Sequence, residues 1–177
     1  IANVMREQEG KARYLGGGEE SYGFLAQDFV RDKDSVSAIS LMAEIAAWAK
    51  DKGMNMSEML KDMYLKYGFS REKGISLVRK GKSGAEEIIE IMKQFRANPP
   101  KEIAGSPVVT VKDFLSLQEK HIATGKVTKL DMPATSNVLQ FYTADNTKVS
   151  VRPSGTEPKI KFYLEVHDTL KDAADYE

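Results

Sequence analysis

The stretch Lys148–Val166, KVSVRPSGTEPKIKFYLEV, decides how the carboxyl half of this chain is read. Two strand-like runs, KVSVRP and KIKFYLEV, flank a loop that carries Arg152, Ser154, Gly155 and Thr156 between Pro153 and Pro158. Alternating apolar and polar residues on both sides of a glycine-bearing turn predict two adjacent strands with the loop exposed where they meet. Arg152 offers a planar guanidinium fork matched to two phosphate oxygens, and Ser154 and Thr156 offer hydroxyl donors. Gly155 lets neighbouring backbone N–H groups turn inward as an anion nest, and the two prolines limit the entropy lost when an anion is held. The alternative is a solvated hairpin turn in which Arg152 pairs with Glu157, an exposed pair that would contribute little. Glu157 also weighs against phosphate unless its carboxylate points away.

Outward from that loop, PVVTV and NVLQFY read as further strands, GISLVRKG as an earlier one, and SGAEEIIEIMKQFRANPP as an amphipathic helix stopped by Pro99 and Pro100. Residues 113–137 hold no sustained period and are expected to form a long connection with short hairpin strands of its own. GKSG at Gly81–Gly84 imitates the end of a nucleotide-binding P-loop, but the glycine needed five residues before Gly81 is Ser76. The better reading is a helix start, with Ser83 as N-cap and Glu86 completing a capping box.

The amino half has a different rhythm. Behind Asp34 and Ser35, both suited to cap a helix, Val36, Ile39, Leu41, Met42, Ile45, Trp48 and Ala49 recur at helical spacing until Gly53. A second helix follows with the stripe Met56, Met59, Leu60, Met63, Tyr64 and Tyr67, closed by Gly68, and such a stripe reads as core. KARYLGGGEESYGFLAQDF reads as a short strand, a glycine turn and a second apolar segment. Glu19 and Ser21 follow the glycines at once. A carboxylate at a strand end can accept hydrogen bonds from two neighbouring hydroxyls of a sugar, and a serine adds a third contact; the alternative is a glycine turn with solvated glutamates. A domain boundary is placed near Ser70, giving segments 1–70 and 71–177.

Composition sets the outer limits. Lys plus Arg and Asp plus Glu stand at 26 each, so no net field points to nucleic acid or an anionic membrane as partner. Cysteine is absent, which removes thiolate metal sites and disulfides and suits a reducing cytoplasm. The longest apolar run, around ISLMAEIAAWA, is broken by Glu44 and is shorter than the roughly 20 residues of a membrane span. Both ends read as cuts through amphipathic patterns, as in a fragment of a longer protein.

GGEESYGF and RPSGTEPKIKFY together resemble the paired loops of the α-D-phosphohexomutases, the phosphoglucomutase and phosphomannomutase group, in the right order and about 130 residues apart. The helix DKDSVSAISLMAEIAAWAKDKG between them resembles that family too, so the likeness spans essentially the whole chain. The resemblance implies an incomplete third α/β domain followed by a fourth, α+β domain with a mainly antiparallel sheet. It implies that Glu19 and Ser21 contact the sugar and that Arg152, Ser154, Gly155 and Thr156 hold the phosphate that is not reacting. It further implies conversion of hexose 1-phosphate to hexose 6-phosphate through a bisphosphate intermediate, with Mg2+ and a hexose 1,6-bisphosphate activator in the full-length enzyme. The phosphoserine loop and the Asp-rich metal loop of the family are absent from this sequence, so the chain alone is expected to carry no catalytic or metal-binding residue and no mutase activity. The missing amino-terminal domains of the same chain are then its partners. A non-catalytic sugar-phosphate-binding module and a structural or interaction domain with incidental loops are the competing readings.

Overall fold

The computed structural model describes residues 2–18 and 23–176. The chain divides into two compact units, Ile1–Met63 and Tyr64–Glu177.

The first unit opens with helix α1 (Ala2–Gln8) and a two-stranded antiparallel ribbon, β1 (Gly17–Gly18) and β2 (Phe24–Leu25), in which Gly18 faces Phe24. The described residues of this stretch pair as an antiparallel ribbon. The expected strand at KARYL is replaced by irregular chain, with the pairing shifted onto the glycines. Helix α2 (Ser35–Asp51) begins where its capping residue predicts. Asp34 has extended backbone and its carboxylate accepts from Val36 N at 3.0 Å and Ser37 N at 2.8 Å, satisfying two donors of the first turn. At the far end Gly53 adopts φ 74°, the left-handed stop that glycine tolerates.

Helix α3 (Met56–Tyr67) also stands where the spacing places it, but its stripe is not core. Met56, Met59, Leu60 and Tyr64 are half-buried, whereas Met63 and Tyr67 are exposed. On α2, Ala49 is buried while Val36 and Ile39 are about 70% exposed. A ribbon of two-residue strands is too small to cover the apolar faces of two helices. Helical period reports that a face is apolar; it does not report whether the chain carries something to cover it.

The second unit is an antiparallel sheet with one helix packed on it. Its strands are β3 (Phe69–Val78), β4 (Glu102–Ile103), β5 (Ser106–Asp113), β6 (Gln118–His121), β7 (Val127–Lys129), β8 (Leu139–Thr143), β9 (Lys148–Pro153) and β10 (Lys159–Asp168). The order across the sheet is β3-β10-β9-β8-β5-β6-β7, with β4 paired to β5, and every pairing is antiparallel. The short hairpin expected within 113–137 is β6–β7. Arg96 fastens the ends of that connection, with Nε 3.2 Å from Asp113 Oδ2 and Nη2 donating to Asn137 Oδ1 at 2.6 Å.

Helix α4 (Gly81–Ala97) lies on one face of the sheet. Its Ile88 and Met92 are buried against Leu139, Phe141, Val149, Val151 and Ile160, and the Phe95 ring centre is 5.8 Å from that of Phe141. Burying each such side chain contributes about 1.5–3 kcal/mol. The helix starts earlier than the capping box predicts. Lys80 occupies the N-cap without a side-chain hydrogen bond, and Ser83 is already the third helical residue. Gly84 explains the shift: a Cβ there would stand 2.4 Å from the Arg79 carbonyl oxygen, so the first turn is wrapped against the chain that enters it. A short 3-10 helix (Ala173–Tyr176) ends the described chain, where Tyr176 stacks on Tyr64 with ring centres 5.8 Å apart and Tyr64 meets Phe69 edge-on at 5.0 Å.

Strand β3 pairs along all ten of its residues with β10 and is an outermost strand of the sheet. Its middle carries Arg71, Glu72, Lys73 and Gly74, and its apolar Ile75 and Leu77 remain 40% and 37% exposed.

Candidate functional site

The loop quoted at the outset joins β9 to β10. Strand register fixes its base: Pro153 faces Ile160 and Arg152 faces Lys161. Five residues, Ser154–Pro158, span the gap and are tied down by their own backbone. Ser154 N donates to Lys159 O at 2.8 Å, Lys159 N donates to Glu157 O at 2.7 Å, and Thr156 N reaches Ser154 Oγ at 3.4 Å. From outside the loop, Arg79 N donates to Pro158 O at 2.8 Å, so the chain entering α4 braces the loop's far end. The structure thus brings Arg152, Ser154, Gly155 and Thr156 together on one closed turn.

Alternation sorts the side chains of this turn. Val151 and Ile160 are buried on the α4 side, so their neighbours Arg152, Lys159 and Lys161 stand on the other face. Lys161 is the cross-strand partner of Arg152, which sets a guanidinium and an ammonium side by side at the loop's base. Sequence reasoning passed over Lys159 and Lys161. The signal was the parity of KIK behind the loop, and it becomes legible once the loop length fixes which residues face each other. Gly155, Thr156 and Glu157 are exposed, and open space surrounds the position a Gly155 Cβ would take.

The Glu157 carboxylate is ion-paired with Lys159 Nζ. The hydrogen bond from Lys159 comes first in holding this carboxyl below its usual range, followed by the charges of Lys159 and Lys161. Glu157 therefore sits within the field of the basic cluster as its own counter-charge.

The other predicted contacts, Glu19 and Ser21, lie outside the described residues, but the structure describes their flanks. Gly16 and Gly18 do not adopt positive φ. They make room for Phe24, whose ring would meet a Cβ on Gly16 at 2.8 Å and on Gly18 at 3.2 Å. Positive φ falls at Gly23 (φ 133°), where a Cβ would lie 2.6 Å from the Asp34 carbonyl carbon. Phe24 and Asp34 exchange backbone hydrogen bonds of 3.4 Å, so the segment returning from residues 19–22 is stitched to the residue that caps α2. Tyr14 Oη donates to Leu25 O at 2.7 Å, and burial, then the nearby Asp28, raise its hydroxyl above the ordinary value. Met5, Arg13, Tyr14, Gly16, Asp28 and Arg31 help to line a cavity of about 890 Å³ in the same unit. Among the described residues no group of three or more His, Cys, Asp or Glu is placed to hold a metal ion, and no helix is long and apolar enough to cross a membrane.

Comparison with known proteins gives two family matches. Residues 1–67 match the model for the phosphoglucomutase/phosphomannomutase alpha/beta/alpha domain III, and residues 96–177 match that for the phosphoglucomutase/phosphomannomutase C-terminal domain. Among curated proteins, a phosphoglucomutase of Staphylococcus haemolyticus is 35% identical over 167 residues, covering 94% of this chain and 30% of that protein. A phosphoglucomutase of Staphylococcus epidermidis is 36% identical over 164 residues, covering 93% and 30%. The chain thus spans about 30% of the length of the curated relatives it matches. Among solved structures, the open form of the Paramecium exocytosis-sensitive phosphoprotein parafusin aligns with a TM-score of 0.56 at 16% identity, covering 99% of this chain and 29% of that one, a likeness of fold.

Proposed function

We propose, for a chain that belongs to the phosphoglucomutase/phosphomannomutase family, that it supplies the sugar and phosphate contacts of a cytoplasmic phosphohexomutase acting on hexose 1-phosphate and hexose 6-phosphate. The observation that carries this reading is the β9–β10 turn: Arg152 and its cross-strand neighbour Lys161 stand on one face beneath a loop bearing Ser154, Gly155 and Thr156. That array suits a phosphate dianion. Arg152 provides a bidentate fork, the hydroxyls of Ser154 and Thr156 add directional donors, and Lys161 adds a second positive charge. Glu19 and Ser21 are assigned to sugar hydroxyls by the motif they share with the family.

The role of these residues is binding and orientation. The loop anchors the phosphate that is not being transferred, so that the reacting end of the sugar phosphate is held still; correct placement of a reacting group can be worth roughly 7 to 11 kcal/mol in favourable cases. The phosphoryl donor and the magnesium that the family implies belong, in this reading, to other parts of a longer protein, because the serine loop and the Asp-rich loop that carry them in the family have no counterpart in this sequence. Nothing in the binding described here passes through it.

The test is Arg152→Lys in the full-length protein, with glucose 1-phosphate as substrate. Replacing a planar fork by a point charge is expected to lower kcat/KM by about tenfold or more, the cost of one charge-assisted hydrogen bond. A value within twofold of the parent would remove Arg152 from the site.

A further inference from the structure

Glu157 is a puzzle in a phosphate site. A carboxylate on the loop repels the anion the loop is built to hold, yet here it is placed among the cations. Glu157 pairs with Lys159, while Lys159, Lys161 and Arg152 occupy the same face of the sheet by strand parity, with Ile160 and Val151 buried on the opposite face. The pair is local and tightly drawn. Lys159 N also donates to Glu157 O, and Ser154 N to Lys159 O, so Lys159 is fixed at the root of the loop while its ammonium is engaged by a side chain 60% exposed. A dianion entering over Arg152 and Lys161 would arrive beside an ammonium already occupied by a weaker, singly charged competitor.

We infer that Glu157 is a positioning residue that acts as a resident stand-in for phosphate: it holds Lys159 while the loop is empty and yields it when a phosphate group arrives. This rests on the assignment of the β9–β10 loop to phosphate. The consequence is a deliberately moderated grip. A loop that must hold one phosphate of a bisphosphate and then release it so the sugar can turn over gains from a built-in competitor that recaptures the lysine as the phosphate leaves. Maximal affinity would slow that release. Deprotonated Glu157 weakens binding, and Lys159 is the group exchanged.

The experiment uses this chain, with inorganic phosphate and separately glucose 6-phosphate titrated against the backbone amide resonances of Ser154, Gly155 and Thr156. Four proteins are compared: parent, Glu157→Gln, Lys159→Met and the double variant. The exchange predicts that Glu157→Gln tightens phosphate binding by up to about fivefold, the worth of the exposed Glu157–Lys159 pair that binding no longer has to break. It also predicts that most of this gain disappears in the Lys159→Met background, because the lysine it liberates is no longer there. Unchanged or weaker binding by Glu157→Gln overturns the inference and leaves the phosphate loop standing. A gain that persists in full without Lys159 overturns it as well, reducing Glu157 to simple repulsion. If phosphate moves none of these amides in the parent, and Arg152→Lys changes nothing, the phosphate assignment falls and the inference with it. In the full-length enzyme the same substitution is expected to lower KM and kcat together, a split that a merely structural change in the loop would not produce.

Discussion

Ile160 sits between the two lysines of the site and is completely buried, with Val151 and Phe162 in the same core cluster. It is therefore the residue through which the hydrophobic core fixes the positions of Lys159 and Lys161. Shortening it step by step separates stability from binding. Ile160→Val removes one methyl group and should cost about 0.8 kcal/mol, within the usual 0.5–1.5 for such a change. Ile160→Ala removes three carbons, about 2.4 kcal/mol of transfer energy; the surrounding strands are paired on both sides of β10 and cannot collapse freely, so a cavity contribution brings the expected loss to about 3–4 kcal/mol. Urea unfolding of the chain followed by far-ultraviolet circular dichroism measures both variants, with the denaturant slope of the transition involving the sheet expected to stay constant. In folded protein at low denaturant, phosphate affinity should fall by less than threefold for the valine variant, because backbone register holds the lysines in place. A loss below about 1 kcal/mol for Ile160→Ala would show that β10 does not pack as described. A valine variant that kept its stability and lost binding tenfold would show that the lysines are positioned by something other than strand register.

Gly23→Ala should destabilise the first unit by more than about 2 kcal/mol, since its Cβ must enter the Asp34 backbone at a φ that side chains rarely adopt, and proteolysis within residues 19–34 should accelerate. Asp34, Asp145 and Glu165 carry carboxyls held below their ordinary values, Asp34 by the N–H groups of Ser37 and Val36, Asp145 by Thr143 and Thr147, and Glu165 by Lys148. Folding favours their ionised forms, so their contribution is fully present above the ordinary carboxylate range near pH 4 and is lost as pH falls through the lower folded values. Urea midpoints should be flat from about pH 7 to 5 and drop steeply below about 4; a midpoint that rises on acidification would contradict these assignments. Turnover of glucose 1-phosphate by this chain alone, with magnesium and bisphosphate activator present, should stay at background, and product accumulating at an enzyme-like rate would refute the division of labour proposed above.

Features written by local chemistry were legible in the sequence. Asp34 caps α2 because an aspartate before a helical period has few better uses, and the β9–β10 turn follows from two alternating runs around a short polar loop. Features that depend on what lies across space were not. The glycines at 16 and 18 are spaces for the Phe24 ring, a fact about a neighbour six or more residues away. The start of α4 depends on Gly84 meeting the Arg79 carbonyl, which outweighed a well-formed Ser83 and Glu86 capping pattern. The α3 stripe was legible as apolar and illegible as only half covered, because period carries no information about cover. Lys161 joined the site through register alone.

The long outer strand β3 also bears on how copies of this molecule tolerate one another when crowded. A ten-residue margin with which no other described strand pairs is a template onto which another chain could knit. Adding a second β3 antiparallel about a two-fold axis through the sheet requires residues of one face to oppose residues of the same face. Centred on Glu72, that arrangement sets carboxylate against carboxylate and each Arg71 against a Lys73; moved one step to centre on Lys73, it sets ammonium against ammonium. In those two registers the charges in the middle of the strand meet their own kind, so the seam resists a duplicate centred there.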